Sequence, residues 1–190
     1  VLAEHGGPFE FNREDFRRVS PPEIGDITFP SRISEHYRDE LMAHVDVESI
    51  RKKNVKVVVD YAFGGGSNIL PSVLAKLGCD VIALNAYPDD TRPSRTAAET
   101  KQAFENLGGI VKSVGAHIGL MMDSNAERLF FVDDQGRVIH EEKALATWVA
   151  MVAEFFPRPR IAVPVSSTHV IDELVKRHEG ALIRTKMNSR

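Results

Sequence analysis

Apolar residues are spaced in two ways along the chain, and the two spacings alternate. Six short apolar runs predict buried strands, at residues 55–60, 81–84, 117–122, 129–133, 161–165 and 181–184. Four other stretches carry apolar residues at the three- and four-residue steps of a helix, at 68–77, 96–107, 141–156 and 168–178. Strands that alternate with helices indicate an α/β fold, in which helices cover both faces of a mainly parallel sheet.

The order of these elements predicts one complete unit and the beginning of another. Residues 31–137 are expected to form a three-layer α/β/α domain around a mixed sheet, and residues 138–190 the first half of a second, similar α/β unit. The loop between the runs 117–122 and 129–133 is too short for a parallel crossover, so those two strands should be antiparallel. Residues 1–30 are punctuated by prolines and predict a connecting arm without a core of its own.

Two amphipathic stripes predict further details of the helices. In a helix expected over residues 31–44, Ile33, Tyr37 and Leu41 recur at four-residue steps. In the helix 141–156, Trp148 falls among aliphatic residues, and we interpret it as part of the helix core and not as a ligand-binding surface.

Composition and charge limit the kinds of partner that the chain is expected to bind and the cellular compartment in which it is expected. The 190 residues include 24 basic and 27 acidic side chains, interspersed, and the net charge of -3 gives no electrostatic case for binding nucleic acid or an acidic membrane. The longest apolar stretch, residues 144–156, is too short to span a bilayer and contains Glu154. Cys79 is the single cysteine and cannot form an internal disulfide, so we expect a reducing, cytoplasmic location.

An acidic loop joins the two strands that should be antiparallel. It places oxygen-bearing side chains at alternate positions, Asp123, Asn125 and Glu127, and it ends at Arg128. Alternate side chains of an extended loop can direct their oxygens to one point, as a hard cation such as Mg²⁺ requires. Arginine can bind a phosphate through two N–H groups. A polar turn without a ligand has the same composition, so the spacing alone leaves both interpretations open.

Two further stretches are candidates for contact with a phosphate. Residues 64–67, Gly-Gly-Gly-Ser, precede a helix whose first amides could bind an anion, but the spacing is not that of a dinucleotide-binding or triphosphate-binding loop. We therefore favour a plain tight turn, called the glycine turn below. Arg92 and Arg95 lie in a polar loop near the same edge of the predicted sheet, and we interpret them as solvated charges.

The acidic loop and its flanks resemble the metal-binding loop of the alpha-D-phosphohexomutases, the phosphoglucomutase and phosphomannomutase family. The family pattern is Asp-Gly-Asp-x-Asp-Arg, and the strand that leaves it ends in Asp-x-x-Gly, as residues 133–136 do. Asp123 and Arg128 match that pattern, whereas Asn125 and Glu127 each stand where the family has Asp. Residues 57–81 are similar to the start of the family's second domain, and residues 166–186 to the start of its third.

The resemblance implies a function for a larger parent protein. Such a parent moves a phosphoryl group between C1 and C6 of a hexose phosphate through a phosphoserine, and the sequence contains no match to the family's phosphoserine motif, Thr-Ala-Ser-His-Asn-Pro. By resemblance Asp123, Asn125 and Glu127 are the metal ligands, with Mg²⁺ binding weakened or lost, and Arg128 is the catalytic residue. Lys186 would bind substrate. We expect this fragment to be inactive alone and to self-associate through the incomplete second unit.

The altered loop leaves a second interpretation open. Residues 61–66 together with the Asp-x-x-x-Glu-Arg loop look similar to mutase-like regions fused behind a sugar-1-phosphate nucleotidyltransferase of the mannose-1-phosphate guanylyltransferase type. In that case the chain is a non-catalytic module that senses a sugar phosphate or mediates oligomerisation. The sequence of the full-length parent would separate the two hypotheses.

Overall fold

The computed structural model describes residue 20 and residues 25–26, 31–92 and 95–187. The arm predicted over residues 1–30 therefore falls almost entirely outside the described residues. The chain divides into two units, Val1–Ile33 and Ser34–Arg190, and every strand of the described residues belongs to the second. The domain boundary expected at residues 137–138 stays a prediction.

Helices and strands alternate much as the apolar pattern predicts. The helices are α1 (Ile33–Ala43), α2 (Val47–Arg51), α3 (Leu70–Lys76), α4 (Ala97–Val114), α5 (Glu141–Phe155) and α6 (Val170–Arg177), with a short 3-10 helix at Gly65–Asn68. The strands are β1 (Lys56–Asp60), β2 (Asp80–Leu84), β3 (Ile118–Met122), β4 (Leu129–Asp133), β5 (Val138–Ile139), β6 (Arg160–Pro164) and β7 (Ala181–Thr185). None of the helices in the described part of the chain has the length and apolarity needed to cross a membrane.

The first sheet is mixed and has the strand order β2-β1-β3-β4-β5. β1 lies parallel to both β2 and β3. β3 and β4 pair antiparallel, with Gly119 opposite Val132, which confirms the arrangement expected from the short acidic loop. β5 pairs antiparallel with β4 and was not predicted, because a strand of only two residues is too short to show a periodic pattern.

Residues of β1 supply both faces of the sheet and thereby define three layers. Val58 packs in a core with Leu107 and Val111 of α4. Val57 and Val59 point to the opposite face, because alternate strand residues face opposite ways, and they pack in a core with residues of α3 that include Leu74. The predicted α/β/α layering is therefore confirmed, with α3 on one face and α4 on the other.

A second sheet contains β6 and β7, which pair in parallel. One side chain from each of α5 and β6 and two from α6 form its core, namely Val149, Val163, Ile171 and Val175. The succession β6–α6–β7 repeats the succession β1–α3–β2 of the first sheet, as expected for the first half of a similar unit.

Two amphipathic stripes are more exposed than their sequence pattern suggests. Trp148 is 54 % exposed, so its interpretation as helix core is wrong, although the neighbouring Val149 is buried. In α1 no residue is buried, and Tyr37 and Leu41 are exposed. The spacing of apolar residues identifies the apolar face of a helix, but it does not tell what covers that face.

Candidate functional site

Asp60, the last residue of β1, is a buried carboxylate that is only 3 % exposed. Its Oδ1 accepts hydrogen bonds from the backbone N–H of Ala62 and from Nδ2 of Asn85, both at 2.9 Å. The guanidinium of Arg95 donates to both of its oxygens, at 3.1 Å and 2.8 Å. A buried charge is stable only when it is paired and hydrogen-bonded, and these donors meet that requirement. The interpretation of Arg95 as a solvated charge is therefore wrong.

The backbone around this carboxylate is strained. Ala62, Phe63 and Asn85 have φ values of 50°, 58° and 52°, in the left-handed region that residues with a Cβ rarely adopt. Hydrogen bonds hold them there, including one of 3.1 Å from the N–H of Phe63 to the carbonyl of Asn85. Strain of this kind persists only where the surrounding structure fixes it, and it clusters at functional sites.

The acidic loop is closed by hydrogen bonds to Asp123. Oδ1 of Asp123 accepts the backbone N–H groups of Glu127 and Arg128, at 2.8 Å and 3.2 Å. The N–H of Ala126, whose φ is 58°, donates to the carbonyl of Asp123 at 3.0 Å. Asp123 therefore fixes the shape of the loop with one carboxylate oxygen and has only Oδ2 left for a ligand.

The loop offers a poor set of donors to Mg²⁺. Asp123 contributes one remaining oxygen, Glu127 one carboxylate, and Asn125 a neutral amide oxygen. In residues 31–92 and 95–187 no three acidic, histidine or cysteine side chains come together as they would around a metal ion. Mg²⁺ requires near-octahedral oxygen ligands, and two carboxylates, one of them half used, do not fit that requirement well.

The glycine turn packs directly against the acidic loop. The N–H of Gly65 donates to the carbonyl of Ser124 at 3.3 Å. A Cβ atom on Gly64 would lie 2.2 Å from that carbonyl oxygen, so only glycine allows this approach. One of the amides predicted as a candidate for phosphate binding is therefore used to hold the acidic loop.

A cavity of about 720 Å³ is lined by several of the candidate residues, and the acidic loop forms part of its wall. Asp123 and Arg128 line it, and so do Arg92, Arg95 and Phe63. The remaining lining includes polar side chains of α4: Glu99, Thr100, Gln102 and Asn106. The arginines and the loop were separate candidates from the sequence, whereas the four polar side chains of α4 were not predicted.

The other candidates lie outside this cavity. Asn125 and Glu127 are exposed and do not line it. Lys186 follows β7 in the second sheet, is exposed, and does not line it either. The roles assigned to these residues by resemblance remain predictions.

The α/β/α domain with an acidic loop between its antiparallel strands matches a known family of domains. The family model described as "Phosphoglucomutase/phosphomannomutase, alpha/beta/alpha domain II" matches residues 35–136. The chain belongs to the phosphoglucomutase/phosphomannomutase family, and the matched region contains α3, α4, the first four strands and the acidic loop.

Relatives of known name agree with this assignment. A phosphoglucomutase/phosphomannomutase of Thermococcus kodakarensis is 33 % identical over 177 residues, which are 93 % of this chain and 39 % of that protein. A phosphoglucosamine/phosphogalactosamine mutase of Sulfurisphaera tokodaii is 29 % identical over 160 residues, 83 % of this chain and 35 % of that protein. The chain thus spans well under half the length of these relatives.

Solved structures of the family share the fold. A phosphoglucomutase/phosphomannomutase family protein of Burkholderia thailandensis matches 82 % of this chain with a TM-score of 0.65 and 21 % identity, and the match covers 33 % of that protein. A phosphoglucomutase of Paramecium matches 80 % of this chain with a TM-score of 0.63 and 16 % identity, and 29 % of that protein is covered. At these identities the likeness concerns the fold alone.

Proposed function

We propose that the protein carrying this chain is a mutase that transfers a phosphoryl group within a hexose phosphate, and that this chain supplies its acidic loop. The observation that carries the proposal is the placement of Arg128. This arginine is exposed, lines the cavity beside Asp123, and no acceptor holds its guanidinium in the described residues. A free guanidinium beside a rigid loop is suited to bind the oxygens of a phosphoryl group.

Asp123 and Arg128 have separate tasks in this proposal. Asp123 holds the loop through the amides of residues 127 and 128, so it fixes the direction in which the Arg128 side chain leaves the backbone. Arg128 then stabilises the negative charge on the phosphoryl group while it is transferred. Lys186, which directly follows β7, would contact the sugar phosphate.

The test is a mutase assay of the protein that contains this chain. We expect interconversion of the 1- and 6-phosphates of glucose, mannose or glucosamine. Arg128→Gln should lower kcat by a factor of about 10²–10³, as the loss of one charge-stabilising donor does in other enzymes. Arg137→Gln is the matched control, because Arg137 is also an exposed arginine but pairs with Asp133 away from the cavity. Equal activity of the two variants would contradict the role of Arg128.

Mg²⁺ binding by the loop is expected to be weak. When bound, Mg²⁺ would polarise a phosphoryl oxygen, but the donor set of the acidic loop fits it poorly. The roles of Asp123 and Arg128 do not require the ion. Calorimetry should find a Kd weaker than about 10 μM, or roughly -7 kcal/mol. A tighter site that Asp123→Ala abolishes would show instead that the loop is a working metal site.

One observation favours a second candidate function. Asn125 and Glu127 replace two carboxylates of the family pattern by residues that bind Mg²⁺ less well or reach further. A non-catalytic module, such as a sugar-phosphate sensor attached to a nucleotidyltransferase, would tolerate that change. A protein that binds hexose phosphate but has no mutase activity, even after Asn125→Asp and Glu127→Asp are introduced, would favour this candidate.

A further inference from the structure

The cavity beside the acidic loop has the size and the mixed apolar and polar walls of a ligand site. Its volume of about 720 Å³ lies within the range of roughly 300–1,000 Å³ that small-molecule sites occupy. Its walls come from the ends of β1 and β2, from the loop before α4 that carries Arg92 and Arg95, from the acidic loop with the adjoining ends of β3 and β4, and from one face of α4. The strained residues Ala62, Phe63 and Asn85 all lie on the first of these walls.

Arg95 is fixed in the cavity wall by a buried partner. Its terminal nitrogens donate to Asp60 at 2.8 Å and to the sulfur of Met121 at 3.4 Å. The side chain is 22 % exposed, so the guanidinium is held before any ligand arrives. In the described residues no acceptor binds its Nε–H, which leaves that donor for a ligand.

Arg92 is also held in place, but only some of its N–H groups have hydrogen-bond acceptors among the described residues. Its guanidinium carbon lies 4.1 Å from the centre of the Phe63 ring, a cation–π distance. Its Nε donates to Asp89 at 3.2 Å, and none of the described residues accepts from its terminal nitrogens. Hydrogen bonds from Thr91, together with the charge and hydrogen bond of Arg92, hold the pKa of Asp89 below its usual range, so this partner is a carboxylate at neutral pH.

The acidic groups on the cavity wall have their own hydrogen-bond donors. Glu99 accepts from the backbone N–H and the hydroxyl of Thr96, at 2.8 Å and 2.7 Å, and these hydrogen bonds lower its pKa. Oδ1 of Asp123 accepts the two amides of its own loop. The charge of Arg95 also lowers the pKa of Glu99, but among the described residues neither carboxylate lies within ion-pair distance of a cavity arginine. The free N–H groups of Arg92, Arg95 and Arg128 are therefore the strongest unused donors.

We propose that this cavity binds a small phosphate-bearing molecule, and that Arg92 and Arg95 are the residues that receive the phosphate. Two guanidinium groups can surround a phosphate with several charge-assisted hydrogen bonds. On the α4 wall, Nε2 of Gln102 donates to Asn106 at 3.1 Å, which leaves the Gln102 oxygen and the Asn106 N–H groups for hydroxyls of the same ligand. The site shares its cavity with Arg128, so the inference rests on the function proposed above and extends it to Arg92 and Arg95. Phosphate binding itself requires neither a metal ion nor mutase activity, so it can fail or succeed separately from the mutase assay.

The test is a titration of the full chain with inorganic phosphate, followed by backbone and side-chain amide NMR. We expect saturable shifts confined to the cavity lining, including the side-chain amides of Gln102 and Asn106, and no such shifts with sodium chloride at matched ionic strength. Arg92→Gln should raise the phosphate Kd about tenfold or more, because charged hydrogen bonds are lost. Arg137→Gln, an exposed arginine paired with Asp133 at 2.8 Å, should leave the Kd unchanged.

Two further variants, Arg95→Lys and Arg128→Gln, test which arginines receive the phosphate. Arg95→Lys retains a cation for Asp60 but loses the planar fork, so it should fold and bind phosphate more weakly. Arg128→Gln separates this site from the acidic loop. If Arg128→Gln abolishes phosphate binding while Arg92→Gln and Arg95→Lys bind as wild type, the phosphate lies at the acidic loop and the inference is wrong. Shifts that chloride reproduces would also overturn it.

Discussion

The Cα of Gly64 lies so close to Ser124 that a Cβ atom on it would sit 2.2 Å from the carbonyl oxygen of Ser124. The φ of Gly64 is -97°, which any residue can adopt, so the need for glycine comes from the contact and not from the backbone angle. Through this contact the turn after β1 supports the acidic loop 60 residues further along the chain.

We therefore expect Gly64→Ala to lower the free energy of unfolding by about 1–3 kcal/mol, the usual cost of forcing an extra methyl into a packed contact. Gly65→Ala is the matched control, because nothing lies within 4 Å of a Cβ at the next position. It should change stability by no more than about 0.5 kcal/mol. Urea unfolding of the two variants measures the difference, and equal midpoints would contradict the close approach.

Substitution by alanine should change the stability of the chain in opposite directions at the adjacent glycines Gly108 and Gly109. In α4 a Cβ on Gly108 would lie 2.3 Å from the carbonyl oxygen of Gly136 in the turn between β4 and β5, whereas a Cβ on Gly109 meets nothing within 4 Å. Gly108→Ala should destabilise the chain by about 1–3 kcal/mol. Gly109→Ala should stabilise it by about 0.5–1 kcal/mol, because alanine is the better helix residue. Thermal unfolding followed by circular dichroism distinguishes the two.

Tyr61 carries a polar group that its surroundings do not satisfy. The residue is 0 % exposed, and no group in the described part of the chain forms a hydrogen bond with its hydroxyl. An unsatisfied buried hydroxyl costs about 1–3 kcal/mol, so Tyr61→Phe should leave stability unchanged or raise it by about 1 kcal/mol. Tyr87→Phe, at an exposed ring, should have little effect. A large loss of stability in Tyr61→Phe would show that the hydroxyl has a partner.

The buried hydroxyl of Tyr61 should also make the folded chain less stable at high pH. Burial raises the pKa of its hydroxyl above the ordinary value of 10.0. The unfolded chain therefore releases this proton at a lower pH than the folded chain does, so the free energy of unfolding falls as the pH rises above 10.0. Tyr61→Phe should show a shallower fall than Tyr87→Phe in unfolding experiments across that range. Parallel profiles would contradict the shift.

The carboxylate of Asp172 should make the folded chain less stable at low pH. The hydrogen bond from Arg184, followed by the charge of Arg184 and by His169, holds the pKa of Asp172 below its usual 3.8. The stabilisation is complete above the unfolded pKa and is lost as the pH falls through the lower folded pKa. The Tm of Asp172→Asn should therefore depend less on pH below 3.8 than the Tm of Asp134→Asn, an exposed control.

Self-association remains a prediction, and the second sheet suggests where to test it. Phe155, at the end of α5, is 78 % exposed, and Ile183 of the two-stranded β6–β7 sheet is also exposed. Exposed apolar surface and open strand edges favour pairing with another chain. Sedimentation velocity should show association that increases with concentration and weakens in Ile183→Lys. A clean monomer at high concentration would contradict it.

Local patterns were enough to predict the fold but not the contacts of the site. The β-branched run of β1 and the short loop before β4 predict a central strand and an antiparallel pair without any knowledge of tertiary structure. The pairing of Asp60 with Arg95 could not be predicted, because many charges are available and sequence distance does not identify the partner. The contact of Gly64 with Ser124 was missed for a related reason: three consecutive glycines indicate a turn, but not the segment that packs against it.

Asp60 makes the order of the cavity wall depend on three segments of the chain at once. Its carboxylate receives donors from the turn after β1, from the end of β2 and from the loop before α4, and the most distant donor is 35 residues away. If any one of these donors is removed, the buried carboxylate has fewer hydrogen bonds. Its hydrogen bonds to the remaining donors are then weaker, because the members of a hydrogen-bond network strengthen one another. The backbone amide proton of Ala62, which Asp60 accepts, should therefore exchange with solvent only through cooperative opening, at a rate close to that of the β1 core and not to those of surface loops.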